Sequence, residues 1–309
     1  MLPIDISPEI ADAVAEGRPV VALESTLISH GLPFPANLEV AAGSEAAVRA
    51  AGAVPATVAI RDGRLLVGLD EAALVALATA PDGSVRKAAR PSLASALAAG
   101  GWAATTVSAT MIVARAAGID VFATGGIGGV HRGAFGGGQR RPTLDVSSDL
   151  EELARTPMAV VCAGPKSILD VAATLEYLET RGVPVVAVGQ ADVPGFYARS
   201  SGLRAPEAVE DVEAAARVVS AHLGMGLGCA IVVAVPVPAE AALPEDEARD
   251  AVGQAIAAAE SAGVHGPALT PWLLARIAEL TEGAAVRANT ALIINDARFA
   301  GELAAALSR

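Results

Sequence analysis

Three places in the sequence put chemically capable residues directly after an apolar, β-rich run. Glu24 follows PVVAL, Thr124 to Gly129 follow DVFA, and Lys166 follows MAVVCAG. A carboxyl group can give or take a proton, and a primary amine can attack an electrophilic carbon. A Gly-rich loop lets backbone approach a ligand closely. A fourth stretch, TLDVSSDLEELA, adds hydroxyls and carboxylates between Thr143 and Ala154. Read structurally, Ser148 caps a helix, Glu151 completes a capping box and Asp149 enriches the first turn. Read functionally, Asp145 is a hard oxygen ligand for Mg²⁺ or Mn²⁺, ions that keep several waters and take few protein carboxylates. Ser147, Ser148 and Asp149 then turn hydroxyls and first-turn amides toward a phosphate or sugar. Plainer readings stand beside these. Glu24 can be a strand-end carboxylate bonded to nearby amides, and TGGIGGVHRG a simple loop, since it lacks the G-x-G-x-x-G dinucleotide fingerprint.

The elements that must position these residues follow from periodicity. PVVALEST reads as a strand, ANLEVAAGSEAAVRAAG as a helix, and VPATVAIRDGRLLVGLD as two strands turning at Asp62 and Gly63. A helical stretch near 71–99 leads to the helix TTVSATMIVARAAG and the strand IDVFATGG. Next come the Gly-rich loop, a short helix from Ser148, the strand MAVVCAG, a helix, and the strand VPVVAVG. The helix PEAVEDVEAAARVVSAHLG, the strand CAIVVAVPVP and three further helical runs complete the chain. Repeated βα units predict a mainly parallel α/β/α sheet with helices on both faces and one small antiparallel pair. Ligands collect at the carboxyl ends of strands in such sheets. Glu24, the Thr124 loop and Lys166 should therefore emerge on one edge. The apolar repeat after CAGPKSILD puts Lys166 in the first turn of its helix, where the helix dipole disfavours an ammonium.

Bulk properties bound the function. Hydrophobic residues make up 53% of 309 and the mean hydropathy is +0.49, with the excess spread through periodic segments. The apolar run LGMGLGCAIVVAVPVPA is too short and too broken by Gly and Pro to span a bilayer. The start, MLPIDISPEIADAV, has no basic, apolar leader pattern, so a cytoplasmic protein is expected. Cys162 and Cys229 lack metal-ligand spacing and read as buried free thiols. A net charge of −12 argues against nucleic-acid polymers and leaves room for a small anion held by a local basic nest.

Five blocks together carry a family resemblance: VALESTLISHGLPFPANLEVA, TTVSATMIVARAAGIDVFATGGIGGVHRG, LDVSSDLEEL, VVCAGPKSILDVAATLEYLETRGVPVV and TPWLLARIAELTEGAAVRANTALI. The chain resembles pseudouridine-5'-phosphate glycosidase, the family that includes the indigoidine-cluster protein, over nearly its whole length. The resemblance implies one α/β domain over 1–309 and a homotrimeric, Mn²⁺-dependent enzyme, with Mg²⁺ as the alternative ion. It implies reversible cleavage of pseudouridine 5'-phosphate into uracil and ribose 5-phosphate. Carried onto matching positions, Lys166 is the nucleophile, Glu24 the proton donor and Asp145 the metal ligand. Lys87, Val107, His131, Ser147, Ser148 and Asp149 match substrate-binding positions, and Asn289 a base or sugar contact. The chain departs from the family pattern in the insert AFGGGQRRP, in Ser148 where alanine is usual, and in NDA at 295–297 where NNA is usual.

A C-glycosidic bond joins two carbons, so protonating an exocyclic oxygen is unavailable as a way to break it. An amine that opens the ribose and forms a Schiff base supplies the missing electron sink. On the residues alone, two other classes stay open. A Schiff-base sugar-phosphate lyase or aldolase would use the same lysine without uracil, and a phosphate-sensing module would need the anion nest but no nucleophile.

Overall fold

The computed structural model describes residues 2–136, 141–264 and 269–308. The chain opens with β1 (Ile4–Ile6), α1 (Pro8–Ala15), β2 (Val20–Leu23), α2 (Thr26–His30) and α3 (Ala36–Ala50). It continues through β3 (Val54–Arg61), β4 (Arg64–Val67), α4 (Glu71–Ala78), β5 (Arg86–Ala88), a 3₁₀ turn at Arg90–Ser92, and α5 (Leu93–Ala99). Then come β6 (Trp102–Thr105), α6 (Val107–Ala116), β7 (Val121–Ala123), α7 (Ser148–Leu153), β8 (Ala159–Cys162) and α8 (Val171–Thr180). The last third holds β9 (Val185–Val188), β10 (Glu207–Val209), α9 (Val212–Gly224), β11 (Ile231–Ala234), α10 (Glu245–Ser261), α11 (Leu269–Leu280) and α12 (Ala284–Leu307).

The strands form one sheet in the order β1-β4-β3-β2-β7-β8-β11-β9-β10, with β6 on β3 and β5 on β6. Its centre is parallel: Val21 lies opposite Val121, Phe122 opposite Val160, and Val160 opposite Val232. Every residue of β2, β8, β9 and β11 is buried. That explains their unbroken Val and Ala runs, because a parallel strand covered on both faces has no polar side to alternate with. On one face Phe122, Val160 and Met111 pack with Leu150 of α7 and Leu178 of α8. On the other, Val21 and Val161 pack with Val48 of α3, Val219 of α9, and Phe299 and Leu303 of α12. The expected three-layer architecture is present. So is the small antiparallel pair, β3 with β4, turned at Asp62 and Gly63, both at positive φ as a two-residue hairpin of primed type requires.

Two stretches differ from the sequence reading. Residues 71–99 are not one helical stretch: Pro81, Asp82 and Gly83 break it, and β5 forms between α4 and α5. Three residues are too few to display an alternation, so this strand exists only through its pairing with β6. Likewise β10 occupies the start of a stretch that reads as helix, because it pairs with β9. The consequence for β5 is functional. Since β3 is parallel to β2, β6 antiparallel to β3, and β5 parallel to β6, β5 runs against the central strands. Lys87 pairs with Ala104, which lies opposite Ala59, two positions past Thr57, the partner of the last residue of β2. The long β3 thus carries Lys87 beyond the carboxyl end of β2. Among the described residues no helix is long and apolar enough to cross a membrane.

Candidate active site

Glu24 leaves β2 at the carboxyl edge and is 7% exposed. Its two carboxylate oxygens accept hydrogen bonds from the hydroxyls of Thr124, at the start of the Gly-rich loop, and Thr26, at the start of α2. A carboxylate gripped at both oxygens has one orientation. The residue after β8, Lys166, is not in a helix. Its N–H donates to the Ile127 carbonyl, Ile127 N–H donates to Gly164, and Pro165 bridges Ile127 in parallel fashion. The loops after β7 and β8 therefore continue side by side as a short extension of the sheet. The helix itself starts at Val171, capped by Asp170, whose Oδ1 accepts from Ala173 N–H at 3.0 Å. This corrects the expected placement of Lys166 in the first turn. Lys166 thus lies before this helix and outside its first turn, where the dipole effect is concentrated.

Lys87 completes a charged cluster. Its ammonium is pushed down, first by burial and then by Lys166, while Glu24 and Asp149 pull it back up. Lys87 is exposed as a whole residue, yet the surrounding protein removes enough water to disfavour the charge. Cys162 lies nearby but is no rival nucleophile. Burial, with Asp296 adding, pushes its thiol up to about 12.

The stretch expected to hold an anion is built from two helix starts. Both α6, through Thr106 and Val107, and α7, through Ser147 and Ser148, open onto one cavity of about 200 Å³. The α7 cap is Ser147, whose Oγ accepts from Asp149 N–H at 3.2 Å, and not Ser148 as the capping-box reading expects. Glu151 does not reach back to the cap, because Tyr177, Arg155 and Arg181 occupy its carboxylate. Asp149 is buried, and both its oxygens are engaged: Oδ1 accepts from Ser108 N–H and Oδ2 from Gly128 N–H, each at 3.0 Å. It thereby ties α6, α7 and the Gly-rich loop into one frame. Gly128 is needed there, since a Cβ would lie 2.2 Å from Ser147 Oγ and 2.6 Å from Asp149 Oδ2.

Glu24, Lys87, Val107, His131, Ser147, Ser148, Asp149 and Lys166, eight of the residues that the sequence reading marked, all line this cavity. Asp145 and Asn289 do not. Asp145 sits beside it, with its side chain 49% exposed and its carboxylate 3.9 Å from His131 Nδ1. Asn289 is half-buried on α12. Thr26 and Thr270 also line the cavity, and the sequence reading missed both. Thr26 lies two residues after a marked residue in the run EST, whereas Thr270 arrives from α11 by tertiary folding alone. A depression of about 420 Å³ elsewhere is lined by Asp246, Glu247 and Asp250, whose charge repels an anionic ligand. Among the described residues no cluster of three or more His, Cys, Asp or Glu could hold a metal ion. Of the insert AFGGGQRRP, residues 137–140 lie outside the described residues.

Comparison with known proteins identifies the family. The family model described as indigoidine synthase A like protein matches residues 9–306. A pseudouridine-5'-phosphate glycosidase of Paracoccus denitrificans is 52% identical over 305 residues, covering 99% of this chain and 98% of its own. One from Herpetosiphon aurantiacus is 52% identical over 307 residues, covering 99% of each. Among solved structures, the prealnumycin C-glycosynthase AlnA in complex with ribulose 5-phosphate matches with a TM-score of 0.89 at 40% identity, over 99% of this chain and 97% of that one. An indigoidine synthase A like protein of Thermotoga maritima matches at 0.86 and 34% identity, over 100% and 97%. A match of this extent, with the same βα framework, means that the chain belongs to the indigoidine synthase A like family of pseudouridine-5'-phosphate glycosidases.

Proposed function

We propose that the chain, as a single α/β domain, reversibly cleaves the C-glycosidic bond of pseudouridine 5'-phosphate to give uracil and ribose 5-phosphate. The observation that carries this reading is the meeting of a carboxyl group, an amine and a two-helix anion nest in one cavity. The phosphate goes to Lys87 and to the hydroxyls and amides around Ser147 and Ser148. The family resemblance assigns the nucleophile to Lys166, and its place supports this: its loop pairs with the Gly-rich loop, whose Thr124 holds Glu24, and both Glu24 and Lys166 line the cavity. The Lys166 nitrogen attacks the anomeric carbon while Glu24 protonates the ring oxygen, and the ribose opens. The proton shed by the alkylated Lys166 nitrogen then goes to the uracil ring carbon, and the carbon–carbon bond breaks with its electron pair passing to the base and a protonated imine left on Lys166. Water releases ribose 5-phosphate and restores the amine. The curated relatives' name and the ribulose 5-phosphate in the C-glycosynthase complex support a sugar phosphate as the ligand.

An oxygen from Asp145 and a nitrogen from His131 form a sparse donor set. They fit a Mn²⁺ or Mg²⁺ ion held mainly by water and substrate oxygens, not caged by protein. Such an ion would supply charge neutralisation at the phosphate. The reading carries with it a cytoplasmic homotrimer, which sedimentation would test. The decisive experiment incubates the protein with ribose 5-phosphate, with and without uracil, then adds borohydride. Product that needs uracil, together with one reduced sugar phosphate on the peptide containing Lys166, is the expected result. Turnover without uracil would point to a lyase or aldolase. No adduct, or an adduct on Lys87, would overturn the assignment of the nucleophile.

A further inference from the structure

The sheltered side of the anion nest holds an ion pair that does not touch the cavity. Glu152, on α7, has a side chain only 2% exposed, and its partner Arg90, in the turn after β5, is 39% exposed. The Glu152 carboxylate accepts from Arg90 Nη1 on one oxygen and from the Thr156 hydroxyl on the other. A buried ion pair is no surer a source of stability than apolar residues of the same volume. What it adds is direction, because the Glu152 carboxylate, with a side chain 2% exposed, is held toward its charged partner Arg90.

The direction matters because of what Arg90 joins. Its own N–H donates to Ser108 Oγ at 3.1 Å, and that oxygen lies 3.3 Å from Ser148 Oγ. Ser108 N–H donates in turn to Asp149 Oδ1. Arg90 stands three residues after Lys87, and Glu152 three residues after Asp149 on the same helix face. The strand that carries Lys87, the start of α6 and the start of α7 are thus braced from behind by one network, with Arg90 and Glu152 at its base.

We propose that Arg90 and Glu152 are a positioning pair: they set the spacing between the Lys87 ammonium and the groups of α7, and through it the affinity for the phosphate end of the substrate. This rests on the phosphate site proposed above. The test uses Glu152→Gln, which keeps shape and removes charge, with Arg90→Gln and the conservative Arg90→Lys. Calorimetric titration with ribose 5-phosphate and the KM for uracil in the synthetic direction are measured for each, alongside the thermal midpoint. Both Gln variants should weaken ribose 5-phosphate binding by about tenfold or more, since small displacements of a positioning group carry large penalties. The KM for uracil should stay within about twofold, and Arg90→Lys should recover much of the loss. A lowered thermal midpoint with unchanged ribose 5-phosphate affinity would overturn the inference and leave the phosphate site standing. If Glu152→Gln fails to fold, Arg90→Gln compared with Arg90→Lys distinguishes the same two outcomes. Failure of the unmodified protein to bind ribose 5-phosphate would instead remove the phosphate site and the inference with it.

Discussion

At the scale of single residues, the site is an exercise in how carboxylates are divided by their surroundings. Glu24 is gripped by two hydroxyls, which hold it in place at the wall of the cavity. Asp149 spends both oxygens on backbone N–H groups and acts as a brace, although the family resemblance marks it as a substrate contact. Asp145 is the carboxylate left half in solvent, and so the one free to take a hydrated ion. Chelation should therefore abolish turnover, and Mn²⁺ should restore it. Asp145→Ala should lose about a hundredfold or more in kcat/KM, because the charge supplied at the phosphate goes with the ion. Initial-rate measurements in chelator are the check: an Asp145→Ala variant as active there as the metal-replete parent would remove the ion from the reaction.

Elements act by bringing chain ends to a common edge. The strands β2, β7 and β8 deliver Glu24, the Gly-rich loop and Lys166 as parallel strands must. The loops then have to pass very close to α7, and Gly128 is where they do so. In Gly128→Ala the new methyl group collides with Ser147 Oγ and Asp149 Oδ2, so the loop, the cap or both must move. The expected cost is about 1–3 kcal/mol of stability, read from denaturant unfolding. Weaker ribose 5-phosphate binding should accompany it, since Ser147 and Asp149 belong to the nest. A variant with parental stability and affinity would mean that the approach is looser than these distances imply. The same scale explains Lys166. Periodicity after CAGPKSILD is helical, but the helix waits for the Asp170 cap, and the residues before it pair with the neighbouring loop instead.

For the whole molecule, α12 is the spine. It packs along α3 and across β2, β7 and β8. It also carries Asp296 into the interior, where neither carboxylate oxygen has a hydrogen-bond partner among the described residues. Burial pushes this carboxyl well above its ordinary value of 3.8, against a smaller lowering effect of the Ala163 backbone. The sign for stability follows. Below the unfolded value both states are protonated and nothing is lost. Above it the unfolded chain releases the proton and the folded one keeps it, so stability falls as pH rises toward the folded value, by about 1.4 kcal/mol per pH unit. Asp296→Asn removes that loss. Its melting temperature relative to the parent should climb as the pH rises above the ordinary carboxyl value and level off once the pH passes the raised value of the folded state. Calorimetric scans giving a constant difference would show that Asp296 is ionised in the fold.

The sequence by itself determined the layered α/β architecture, the βα order and the edge on which chemistry gathers, because Val and Ala runs, helical periods and strand ends are local or nearly local signals. It also marked Glu24, Lys166 and the stretch around Ser147 through types and positions readable one segment at a time. What it could not determine depends on pairs of segments far apart in the chain. The three-residue β5 becomes a strand only against β6, and Lys87 reaches the site only because β3 outruns β2. Thr270 enters from a helix far along the chain from Ser147, and the Arg90 and Glu152 network spans 62 positions. Such contacts leave no period or cap in the sequence. They are decided by tertiary packing, which alone selects which buried polar groups meet and which, like Asp296 among the described residues, are left without a partner.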